Sequence, residues 1–85
     1  MKNLTQEIIN EVVITANEAI TFLNKRATTG FLIYAEDTLT NLVPFAQMAA
    51  KHSDEAKNVL DNLNKALDCV QTGKDVELLP EVKAA

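Results

Sequence analysis

Residues 54–73 read Asp54-Glu55-Ala56-Lys57-Asn58-Val59-Leu60-Asp61-Asn62-Leu63-Asn64-Lys65-Ala66-Leu67-Asp68-Cys69-Val70-Gln71-Thr72-Gly73. The apolar residues Ala56, Val59, Leu60, Leu63, Ala66, Leu67 and Val70 recur in steps of three and one. That spacing puts them on one face of an α-helix whose other face is wet. Ser53 is suited to cap its start, and Gly73 can end it in the left-handed conformation that other residues resist. This stretch predicts a helix from Asp54 to about Thr72 and sets an all-α reading for the rest of the chain.

Upstream, Leu4, Ile8, Ile9, Val12, Val13, Ala16, Ala19, Ile20, Phe22 and Leu23 repeat with the same period. They predict a first helix from about Leu4 to about Arg26, with Lys25 and Arg26 at the end that favours cations. Ala27 to Gly30 form a turn in which either Gly30 is the left-handed residue that ends the first helix or Thr28 or Thr29 caps the next. The second helix is expected over Phe31–Ala50, with Phe31, Leu32, Ala35, Leu39, Leu42, Val43, Phe45, Ala46, Ala49 and Ala50 facing the core. Pro44 lies within it, removes one hydrogen bond, and is expected to kink or break the helix. Lys51-His52-Ser53 make the second turn. The expected architecture is an antiparallel up-down-up three-helix bundle over residues 1–73, followed by a tail at 74–85 that forms a short helical turn or stays flexible.

With 85 residues the chain makes one domain. A domain of this size buries only about 60% of its unfolded surface, so packing has to be good. Hydrophobic residues reach 47%, which argues against disorder. The net charge of −4 is spread over both halves, with no basic patch. Binding to nucleic acid through phosphates, or to an anionic membrane surface, is not expected. The first residues carry no apolar run of the kind a signal peptide needs, and no apolar run is long enough to span a bilayer. The single cysteine, Cys69, rules out an internal disulfide and points to a reducing, cytoplasmic setting.

Chemistry-bearing residues are few. His52 is the lone histidine and stands in a turn without the ligand spacing of a metal site. Cys69 has no histidine near it to stabilise a thiolate. Gly30 and Gly73 stand apart and form no phosphate-cradling loop. The chain therefore reads as a non-enzyme without cofactor or metal.

Two polar repeats remain. Asp54, Asp61, Asp68 and Asp75 stand seven residues apart on the back of the third helix. Lys57 and Lys65, one turn to either side, can pair with Asp61, so this line reads first as a charge-balanced wet surface. Its functional alternative is an acidic contact that blocks a basic site on a partner, as an inhibitor or an antitoxin- or immunity-like protein would. The first helix carries asparagines at the same interval, at 3, 10, 17 and 24. With their neighbours they make an outward strip without charge: Gln6, Asn10, Ile14, Asn17, Thr21 and Asn24. A free helix surface usually carries Glu and Lys, whereas interface centres are depleted of charge. The strip is the preferred contact surface, packing on a second copy in a homodimer, on another protein, or on the chain's own tail. The function expected is a protein–protein interaction module.

Overall fold

The computed structural model describes residues 4–80. Three helices account for most of them: α1 (Leu4–Lys25), α2 (Thr29–Ala50) and α3 (Asp54–Thr72). No strand occurs among the described residues. The helices pack into a small all-helical, bundle-like fold with extents of 42 × 18 × 17 Å.

Local chemistry sets the helix ends. Thr28 takes an extended conformation, and its hydroxyl oxygen accepts from the Phe31 amide at 3.3 Å. Ser53 does the same for the Ala56 amide at 3.2 Å. Each cap satisfies one of the amides that a helix start leaves without an intrahelical partner. Asp54 and Glu55 fall in the first turn of α3, where the helix dipole favours negative charge. At the other end Gly73 adopts φ +73°, the Lys74 amide donates to the Cys69 carbonyl at 2.9 Å, and the Gly73 amide reaches the Val70 carbonyl at 3.4 Å. This paired closure turns the chain back on itself and needs a residue that accepts positive φ. The expected bounds of α3 and both of its caps match the structure. Helix α2 begins two residues before the expected start, because Thr28 takes the cap; Gly30 therefore lies inside α2 and is not the left-handed end of α1, and α2 includes Pro44 within one helical span.

The core is aliphatic. Ile9, Ile20, Leu39 and Leu63 are its largest fully buried side chains, and no polar or charged residue is buried among the described residues. Helix α2 contributes mainly alanines, Ala35, Ala46, Ala49 and Ala50, together with Leu39. Small side chains let α2 lie close against both neighbours, whereas α1 and α3 touch little. The tail lies over this weakly closed side, where Val76 and Leu79 are buried without forming a helix.

This close approach corrects part of the expected core. Leu4, Phe22, Leu32 and Phe45 are exposed, and Phe31 is half-buried. Phe45 directly precedes buried Ala46, so it stands about 100° around the helix from the contact. An interface built on alanine is narrow, and the bulky residues at its margins stay outside.

Candidate contact surface on the first helix

The uncharged strip of α1 divides into three parts. At its start the Gln6 Nε2 donates to the Asn10 Oδ1 at 3.1 Å, a bond across one helical turn. Further along, Asn17 grips the tail. Its Nδ2 donates to the Leu79 carbonyl at 3.0 Å, and its Oδ1 accepts from the Leu79 amide at 2.7 Å. Asn24 adds a third bond, from Nδ2 to the Val76 carbonyl at 3.2 Å. The tail therefore runs back along α1 in the opposite direction.

The fit has a simple metric cause. Seven helical residues, from Asn17 to Asn24, rise about 10.5 Å. Three residues of extended chain, from Val76 to Leu79, span about 10 Å. The heptad of asparagines thus matches a three-residue step of main chain, and that step also places Val76 and Leu79 against the core. An amide side chain suits the task because it carries both donor and acceptor. Of the three occupants considered for the strip, the tail takes Asn17 and Asn24.

Ile14 and Thr21 are not covered. Ile14 remains 52% exposed, a large apolar side chain in solvent. It borders an open groove of about 620 Å³ shared with Glu18, Thr21, Phe22 and Lys25. At the far end of this groove the aromatics gather. Phe22 and Phe31 stack with centroids 6.0 Å apart, and Tyr34 meets Phe22 edge-on at 6.2 Å. Phe22 and Tyr34 are each 44% exposed. The expected core includes Phe22 and Phe31, and periodicity alone does not show that they meet at the surface. The run Phe31-Leu32-Ile33-Tyr34 is the cluster's visible signal, since one helix cannot bury four consecutive apolar residues on one face.

The acidic line is different. Asp54, Asp61, Asp68 and Asp75 are all exposed. Lys57 reaches Asp54 at 3.4 Å rather than Asp61, and both side chains are largely in water. Such a pair contributes little to stability. Asp75 lies beyond the Gly73 turn in the tail, so the helical part of the line has three rungs. His52 is exposed in its turn. Cys69 is a half-buried free thiol facing a hollow bordered by Leu78, Leu79 and Pro80. Among the described residues, no three His, Cys, Asp or Glu side chains are grouped to hold a metal ion. No helix among them is long and apolar enough to cross a membrane.

No family model, no curated protein and no solved structure matches this chain.

Proposed function

We propose that this chain is a non-enzymatic protein–protein interaction module and that the outward face of α1 is its contact surface. One observation carries this reading: the tail satisfies Asn17 and Asn24 but leaves open a groove with Ile14 exposed at one end and Phe22, in its cluster with Phe31 and Tyr34, at the other. Large apolar side chains gathered in one exposed patch mark contact sites more often than single ones do. We further propose that the three helices alternate in direction, up, down and up, as their three-residue connections favour, and that Pro44 bends α2. A cytoplasmic setting belongs to the same reading and rests on the lone thiol of Cys69.

The test is a photo-crosslinking amino acid placed at position 14, and separately at position 61, in the organism that makes the protein. A defined adduct from position 14 and none from position 61 is expected. Adducts from position 61 alone would favour the second reading, an acidic inhibitor that uses Asp54, Asp61 and Asp68. That reading draws on the exposure of all three carboxylates. Binding through them would weaken steeply with added salt, whereas binding centred on Ile14 would weaken less. No adduct from either position would overturn both.

A further inference from the structure

Along the outward face of α1, Ile14, Glu18, Thr21 and Lys25 follow one another at steps of four, three and four, and all four are exposed. These steps form a single line down a helix, the spacing with which two helices meet. The line is self-complementary. Glu18 and Lys25 carry opposite charges seven residues apart, about 10.5 Å, with Thr21 between them. A parallel pairing of two such lines would set Glu18 against Glu18 and Lys25 against Lys25. An antiparallel pairing with its two-fold axis between Thr21 and Phe22 sets each Glu18 against the other copy's Lys25.

The same register gives Ile14 a receptor. Ile14 lies about 11 Å from that axis, where the facing copy has left α1 and turned into α2. At that turn is a hollow of about 370 Å³ lined by Phe22, Thr28, Gly30, Phe31 and Tyr34. Gly30 gives it no side chain, and a Cβ there would meet nothing nearer than the Thr28 Oγ1 at 3.9 Å. The tail bonds to Asn17 and Asn24 and leaves the line itself exposed. We infer that the partner of this surface is a second copy of the chain, docked antiparallel on α1, with Glu18 facing Lys25 and Ile14 seated in the aromatic hollow. A two-fold interface uses each contact twice, which is why one apolar knob and one ion pair per chain suffice to fix the register. The inference rests on the reading above that α1's outward face binds protein, and it names the partner.

Sedimentation equilibrium of the full chain, up to about 1 mM, tests it. The expected mass rises from one chain towards two. Glu18→Lys and Lys25→Glu should each weaken association about tenfold, since each turns two attractive contacts into repulsive ones. The double variant should return to within about threefold of the wild type, which a general loss of fold would not produce. Ile14→Arg should abolish the dimer while leaving helical circular dichroism unchanged. A one-chain mass throughout, or a double variant no better than the singles, overturns the inference. If the chain is monomeric and position 14 still crosslinks to a different protein, the second-copy assignment fails and the interaction reading stands. A dimer indifferent to Ile14→Arg contradicts both.

Discussion

The backs of α1 and α3 carry polar residues at the same interval, and the two surfaces behave in opposite ways. On α3 the seven-residue repeat is aspartate, and its side chains stand in water. On α1 it is asparagine, and at Asn17 and Asn24 it holds three hydrogen bonds to the main chain of residues 76–79. The difference lies in the functional group. A carboxylate only accepts hydrogen bonds and loses much hydration when covered. A carboxamide carries no charge and offers a donor and an acceptor, which is what an extended peptide unit needs. Periodicity alone does not separate a wet face from a docking face; the chemistry of the repeated residue does.

Substitutions should expose this asymmetry. The largest effect is expected from Leu79→Ala, which removes a side chain only 4% exposed. A buried leucine truncated to alanine costs about 2–5 kcal/mol. The lower part of that range is expected here, because the tail forms the edge of the core, and urea unfolding would read it. Next is Asn17→Ala, which strands the Leu79 amide and carbonyl and should cost about 2 kcal/mol. Asn24→Ala removes one bond and should cost about 1 kcal/mol in the same assay. If Asn24→Ala proved worse than Asn17→Ala, the clamp would be centred elsewhere. Gly73→Ala strains the turn that sends the tail back and should cost about 1 kcal/mol in the same unfolding series. The smallest effect is expected from Asp61→Ala and Asp68→Ala, each within about 0.5 kcal/mol of the wild type. A loss near 2 kcal/mol at either aspartate would end the contrast between the two repeats.

Much of the fold is legible in the residues themselves. The stripe from Ala56 to Val70, with Ser53 before it and Gly73 after it, specifies α3 to the residue, because cap chemistry and periodicity agree there. Helix α1 is legible from its periodicity, within one residue at its end. The limits of the core are harder to read. A helical wheel gives the direction of a face and not the width of the contact, so Phe22, Leu32 and Phe45 look internal until the alanine-lined approach of α2 is seen. The path of the tail is not legible from periodicity, since Val76 and Leu79 are too few to show a period. The α1 strip stands out by its missing charge, but only the match between a helical heptad and three extended residues shows what sits on Asn17 and Asn24. The expected tail at 74–85 is described as far as Pro80, and Glu81–Ala85 and Asn3 lie outside the described residues.

Amide hydrogen exchange at Leu79 tests the central claim, that Asn17 makes α1's back a docking surface for main chain. In the wild type this amide should be protected by its 2.7 Å bond to the Asn17 side chain, and Asn17→Ala should return it to the exchange rate of an open peptide. The Glu77 amide, two residues before it on an exposed residue, serves as the internal reference. A Leu79 amide that exchanges freely in the wild type, or that stays protected in Asn17→Ala, would contradict the account.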